Sequence, residues 1–317
     1  MASGNDSRAA AYRLLWQPAA ADNAAMEAEP PKTEPPKRKR RWFQFSLRTL
    51  MIVVALFATL AGQRALAGER TTEEEIAEIQ KLRGSITRDE QSPGRPVIEV
   101  RFGLGKLTDA GLEHLKGFTK LQSLSLNGTR VTDAGLEQLK GLTELQTLLL
   151  SGTMVKGPGL ENLKGLTKLR TLNLACGTAD AGLEHVEGLT QLQRLDVTYS
   201  KVTDADLVHL KGLTKLQRLE LASTKVTGPG LEHIKGLTEL QTLMLWDTQL
   251  TDAGLEHITG LTKLRTLFLS NTQITDAGLK HLRGLTQLQT LSLSGTHVTD
   301  AGVADLQRAL PNCTIRH

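Results

Sequence analysis

The chain of 317 residues is only 3% aromatic, which is little for a globular core of that size, so leucine must supply most of the buried surface. Of its 38 Lys and Arg residues, 10 precede residue 68, against 5 of its 34 Asp and Glu residues. The rest of the chain is therefore close to neutral, which excludes the usual electrostatic basis for nucleic-acid binding. Two cysteines, Cys176 and Cys313, cannot form a disulfide framework.

Residues 1–41 are predicted to be a disordered, basic cytoplasmic tail. The segment is rich in Ala, Pro, Glu and Lys, shows no apolar period, and ends in the basic run KRKRR. Such a composition buries too little apolar surface to offset the entropy lost on ordering.

Residues 42–63 are predicted to be a transmembrane signal anchor. The aromatic sequence WFQF follows the basic run, and the 20 residues from Phe43 to Gly62 are long enough to span a bilayer if Arg48 reaches the headgroups. A signal peptide cleaved near Ala67 and an ordinary buried helix are the alternative interpretations. Both the anchor and the signal peptide place the following residues outside the cytoplasm, because basic residues stay inside.

Residues 69–95 are predicted to form an N-terminal cap for the repeats that follow. Thr72 and Glu75 have the spacing of a capping box, and apolar residues recur at helical spacing up to Gly84, a natural helix stop. A stack of repeats needs such an end piece, since its first repeat otherwise exposes its core.

Residues 96–310 align with themselves every 24 residues and are predicted to form nine repeats. One clear copy, at residues 120–143, reads KLQSLSLNGTRVTDAGLEQLKGLT. The copy from Lys168 is one residue short, so we expect an irregularity near Cys176. Residues 311–317 are predicted to form a C-terminal cap.

Each repeat carries the pattern LxxLxLxx(N/T/C), as in Leu121, Leu124, Leu126 and Thr129, and this pattern resembles the leucine-rich-repeat family. The resemblance implies an α/β solenoid similar to ribonuclease inhibitor, a curved horseshoe with a parallel β-sheet on its concave face and short helices on its convex face. The sequence WFQFSLRTL joined to TDAGL-type repeats is similar to a bacterial group of membrane-anchored leucine-rich-repeat proteins.

Most recurring polar residues are interpreted as structural. The repeated Asp and Lys suit the two ends of short helices. The hydroxyl residues equivalent to Thr129 are expected to satisfy backbone groups of the loops. Histidines recur on the outer face without a closed ligand set, so we expect no metal and no cofactor.

The candidate binding site lies where the repeats differ from one another, at the outward positions of the strands. Three of the five aromatic residues in the repeats, Tyr199, Trp246 and Phe268, map to this predicted concave face. Aromatic side chains rimmed by charge are typical of interaction hot spots. The candidate ligand-binding residues are Arg194, Asp196, Tyr199, Arg218, Glu220, Met244, Trp246, Asp247, Phe268 and Asn271.

The sequence as a whole predicts a monomeric, membrane-tethered, extracytoplasmic module that binds a protein or peptide. A structural component of the cell envelope without a selective ligand is the alternative. An enzyme is not expected, because the sequence contains no phosphate-binding loop, HExxH motif or nucleophile elbow. We also expect no nucleic-acid partner.

Overall fold

The computed structural model describes residues 72–105, 107–177 and 182–317. The predicted cytoplasmic tail, the predicted membrane segment and part of the short repeat near Cys176 lie outside the described residues. Within the described ranges, no helix is both long and apolar enough to cross a membrane.

The described residues form a single 11-stranded sheet whose strands follow one another in sequence order. All neighbouring strands from β2 to β11 are parallel, and β1 pairs antiparallel with β2. The strands are β1 (Gly84–Arg88), β2 (Val97–Phe102), β3 (Ser123–Ser125), β4 (Thr147–Leu149), β5 (Thr171–Asn173), β6 (Arg194–Asp196), β7 (Arg218–Glu220), β8 (Thr242–Met244), β9 (Thr266–Phe268), β10 (Thr290–Ser292) and β11 (Thr314–Arg316). The predicted leucine-rich-repeat solenoid is thus confirmed, with an antiparallel first strand that the repeat pattern did not indicate.

Each strand from β3 to β10 has three residues, of which the central leucine is buried and the two flanking side chains point away from the core. In β8, for example, Leu243 is fully buried while Thr242 and Met244 are partly exposed. This alternation follows from the pleat of a strand, in which successive side chains point to opposite faces. The sheet therefore presents one row of variable side chains on each side of every buried leucine.

Short helices pack behind the sheet, and most are 3-10 helices. Residues 72–81 are helical (α1) and precede β1. The 3-10 helices are Asp109–Leu115, Gly135–Leu139, Gly157–Leu163, Leu183–His185, Asp204–Leu210, Pro229–Ile234, Glu256–Ile258 and Lys280–Leu282, and the α-helices are α2 (Asp252–Leu255), α3 (Asp276–Leu279) and α4 (Asp300–Ala309). The 3-10 form suits segments this short, because its hydrogen bonds span only three residues and one or two turns are enough to form them.

A carboxylate at the start of many of these helices bonds to the next repeat. Asp252 Oδ1 accepts the backbone N–H of Thr275 at 2.8 Å, and Oδ2 accepts its hydroxyl at 2.6 Å. Asp109 makes the same pair of bonds to Thr132. The recurring Asp is structural, as predicted, but it fastens adjacent repeats together in addition to lying at a helix start.

The predicted hydroxyl row is also present, and it closes the turns after β3, β4 and β6 to β10. Thr129 Oγ1 donates to Leu126 O at 2.7 Å, and Thr272 Oγ1 donates to Leu269 O at 2.6 Å. Both threonine side chains are buried. Leu126 O also accepts the backbone N–H of Thr129, whereas no other described residue donates to Leu269 O. The Thr272 hydroxyl therefore satisfies a backbone carbonyl that would otherwise be buried without a donor.

Candidate functional site

The ten candidate residues lie on one surface, formed by the outward side of β6 to β9 and the turns that follow those strands. We call this surface the sheet-face patch. Strand register aligns Arg194 with Arg218, and it aligns Asp196 with Glu220, Met244 and Phe268 in one row across four strands. Adjacent strands are about 4.8 Å apart, so side chains in one row are direct neighbours.

Two aromatic rings of the sheet-face patch contact each other across an intervening repeat. The ring centroids of Tyr199 and Trp246 are 5.6 Å apart, with the planes at 73°, an edge-to-face arrangement. Between them in the stack lies Ala222, which is fully buried. A larger side chain at this position would occupy the space through which the rings meet. Tyr199 keeps 57% of its surface exposed.

The polar groups of these two aromatic side chains form no hydrogen bond within the described chain. Neither the Tyr199 hydroxyl nor the Trp246 indole N–H has a hydrogen-bond partner among the described residues. Phe268 lies beside Met244 in register and extends the apolar surface by one strand. The sequence placed these residues on one face, but it did not reveal the contact between Tyr199 and Trp246.

The turn after each strand from β3 to β10 holds its second residue in the left-handed region. In three repeats this residue is glycine, at Gly128, Gly152 and Gly295, with φ between 66° and 72°. In five successive repeats it carries a side chain, and these residues are Cys176, Tyr199, Ser223, Asp247 and Asn271, with φ between 51° and 61°. Left-handed geometry is unfavourable for residues other than glycine, least so for Asn and Asp. The backbone thus directs a series of side chains, including Tyr199 and Asp247, along the edge of the patch.

The positive φ of this turn position was not predicted from the sequence, although the repeat alignment indicates it. The glycines of the second, third and ninth repeats align with Tyr199, Asp247 and Asn271 in the repeat alignment. A column that contains several glycines indicates positive φ, and the other residues of that column share the backbone of the turn.

The charges of the sheet-face patch are only partly compensated. Arg218 Nε donates to Glu220 Oε1 at 2.5 Å. Asp196 accepts the amide of Asn173 at 2.8 Å and the backbone N–H of Thr198 at 2.9 Å. Exposed Arg194 has no ion pair within the described part of the chain.

At the opposite edge of the patch, Asp247 Oδ2 accepts the hydroxyl of Ser223 at 2.8 Å. No cation within the described ranges lies in ion-pair distance of this carboxylate. Asn271 follows Asp247 by one repeat and is exposed. The patch therefore has a basic side at the start of β6 and an acidic side at the turns.

Histidines and cysteines do not converge on a site. His114 Nδ1 lies 2.5 Å from Glu75 Oε2, and His209 Nδ1 lies 2.5 Å from Glu187 Oε1, so these histidines pair with separate acids. No group of three or more His, Cys, Asp or Glu side chains suited to a metal occurs in the residues that the structure describes. Burial raises the pKa of the Cys313 thiol above its usual value, which makes it a poor nucleophile.

Family models described as leucine-rich repeat match residues 238–298 and residues 119–140. No curated protein matched the sequence.

Solved structures gave clear matches to the fold. Internalin C2 of Listeria monocytogenes is 27% identical with a TM-score of 0.53, and the match covers 64% of this chain and 87% of the internalin. A leucine-rich-repeat protein of Leptospira interrogans is 21% identical with a TM-score of 0.52, covering 65% of this chain and 57% of the other. The second likeness concerns the fold alone.

Proposed function

We propose that this chain, a leucine-rich-repeat protein, is a monomeric binding module that holds a protein or peptide on the sheet-face patch. The observation that carries the proposal is the contact between Tyr199 and Trp246, whose polar tips lack partners within the described chain. Tyr, Trp and Arg are the residues most enriched among the strong contributors to protein interfaces. Here all three occur on β6 to β8 and the turns that follow these strands.

The ordered backbone beneath the patch further supports binding. Arg194 and Phe268 lie within hydrogen-bonded strands, and the left-handed turns direct Tyr199 and Asp247. A surface that is already ordered loses little conformational freedom when a partner docks, so more of the contact energy appears as affinity.

We propose a binding role without catalysis. Serine, histidine and acidic residues are frequent, but the ones that recur in the repeats serve to hold the fold. Ser200 Oγ, for example, donates to Val197 O at 2.6 Å, and His209 pairs with Glu187. The polar groups of the patch form no arrangement of nucleophile, base and orienting acid.

We also propose that residues 42–63 tether the module to a membrane, with the repeats outside the cytoplasm. The basic run and the uncharged stretch in the sequence support this proposal. Protease added to intact cells should digest the repeats, and membranes washed with carbonate should retain the full-length chain. Recovery of a soluble chain that begins near Ala67 would instead indicate cleavage and secretion.

The binding role can be tested with a displayed library of random 12-residue peptides and the full-length protein in detergent micelles. We expect the wild type to enrich a family of related sequences that a Tyr199→Ala, Trp246→Ala, Phe268→Ala triple variant does not enrich. A His257→Ala, His281→Ala variant, altered on the helical side, should behave like the wild type. All three proteins must have the same melting temperature. Equal enrichment by wild type and triple variant would overturn the proposal.

A further inference from the structure

We infer that the segment bound by the sheet-face patch carries an acidic side chain that pairs with Arg194, three to five residues from an apolar side chain that packs on Tyr199 and Trp246. This inference rests on the proposed binding role and names the chemistry of the partner.

Arg194 is exposed and forms no ion pair with any residue that the structure describes. Asp196 is two residues along the same strand and points to the same face. Its two oxygens, however, are engaged by Asn173 and by the backbone of Thr198. The exposed guanidinium therefore offers its donors to solvent, and a partner carboxylate can accept two of them side by side.

The neighbouring arginine differs in this respect, although it occupies the equivalent position. Arg218 aligns with Arg194 in the sheet, and its guanidinium is held by Glu220 at 2.5 Å. One cation of the pair is thus neutralised and the other is available. Arg194 can therefore pair with a single carboxylate of a partner.

The surrounding acids exclude a polyanion as the occupant. The patch contains two arginines against Asp196, Glu220 and Asp247, so its formal net charge is −1. Nucleic acid or an anionic membrane surface would bring several negative charges close to these carboxylates. A peptide with one carboxylate at the basic side of the patch satisfies Arg194 without that repulsion.

The geometry of the sheet sets the spacing between the two anchors. Tyr199 follows Arg194 by five residues in the same repeat, so at about 3.3 Å per residue it lies at most about 16 Å away. Trp246 lies two strands over and four positions along, which gives a similar upper limit of about 16 Å for the diagonal. Because the arginine side chain covers part of this distance, an extended peptide would bridge it in about three to five residues.

The test compares peptide selection on the wild type with selection on a charge-reversed variant, Arg194→Glu. We expect wild-type sequences to contain Asp or Glu three to five positions from Leu, Phe, Tyr or Trp. The variant should lose this acidic preference at least tenfold and favour Lys or Arg at the same place. Arg265→Glu reverses another exposed arginine, outside the patch, and should leave the wild-type preference intact.

A second measurement separates the charge from any change of fold. A selected peptide and its Asp→Asn counterpart are titrated against the wild type and Arg194→Glu, after their melting temperatures are matched. The Asn change should weaken binding at least tenfold for the wild type and not for the variant. Selected sequences without an acidic preference, or equal losses for both proteins, would overturn the inference while the binding role stands. Absence of any enriched sequence on the wild type would overturn both.

Discussion

Replacement of Thr272 by valine should reveal how much the buried hydroxyl row stabilises the repeats. The Thr272 side chain is 3% exposed, and its hydroxyl donates to Leu269 O at 2.6 Å. No other donor to this carbonyl occurs in the described chain. Valine keeps the shape of the side chain, so the change removes the hydrogen bond and little packing.

The expected loss of unfolding free energy for Thr272→Val is about 2 kcal/mol. A buried polar group left without a partner costs about 1 to 3 kcal/mol. Thr259 provides a matched control, because its hydroxyl makes the same bond, to Glu256 O at 2.9 Å, on an exposed surface. Water can replace that bond, so Thr259→Val should change stability by no more than about 0.5 kcal/mol.

Urea unfolding followed by circular dichroism measures this difference. With a slope of about 2 to 3 kcal/mol per molar, the Thr272→Val midpoint should fall by about 0.7 to 1 M. The Thr259→Val midpoint should stay close to that of the wild type. Equal midpoints for the two variants, at unchanged slope, would refute the assignment of the hydroxyl row as a stabilising element.

Three further predictions concern the turns, the thiols and the carboxylates. Gly152→Ala should lower the free energy of unfolding by about 1 kcal/mol in urea titration, because φ there is +66°. Exposed Cys176 should react with a thiol reagent in the native protein, whereas Cys313, buried and with a raised pKa, should react only after unfolding. The pKa of Asp276 is lowered by the backbone N–H and hydroxyl of Thr299. Its contribution to stability is therefore present above the ordinary Asp value of 3.8 and is lost as the pH falls through the lower folded value.

Each of these predictions has an outcome that would contradict it. A Gly152→Ala variant as stable as the wild type would show that the turn does not require glycine. Equal labelling rates for the two thiols would contradict the burial of Cys313. If Asp276→Asn leaves the acid dependence of the urea midpoint unchanged, the bonds from Thr299 do not stabilise the folded protein.

The sequence predicts the repeat architecture because one physical requirement recurs in every copy. Leucines such as Leu121, Leu124 and Leu126 must all be buried, and the 24-residue period permits this only when the copies stack. The same alignment separates residues demanded by stacking from residues that vary. The placement of the ten candidate residues on one surface could therefore be predicted, although Tyr199, Trp246, Asp247 and Asn271 lie in the turns that follow the strands.

Contacts between repeats could not be predicted in the same way. The ring contact of Tyr199 with Trp246 depends on the small size of Ala222 and on the left-handed turn at Tyr199. These three residues belong to three successive repeats. The bonds from Asp252 to Thr275 likewise join adjacent copies. Such details depend on the distance and rotation between neighbouring repeats, and the period alone does not give these quantities.

Site-specific photocrosslinking in the cells that make the protein tests binding at the sheet-face patch most directly. The photoreactive residue p-benzoylphenylalanine would replace Tyr199 in one variant and Val208, an exposed residue of the helical side, in another. We expect a discrete crosslinked partner from position 199, lost when Arg194→Glu is added, and none from position 208. Failure of position 199 to crosslink, or the same products from both positions, would contradict binding at this surface.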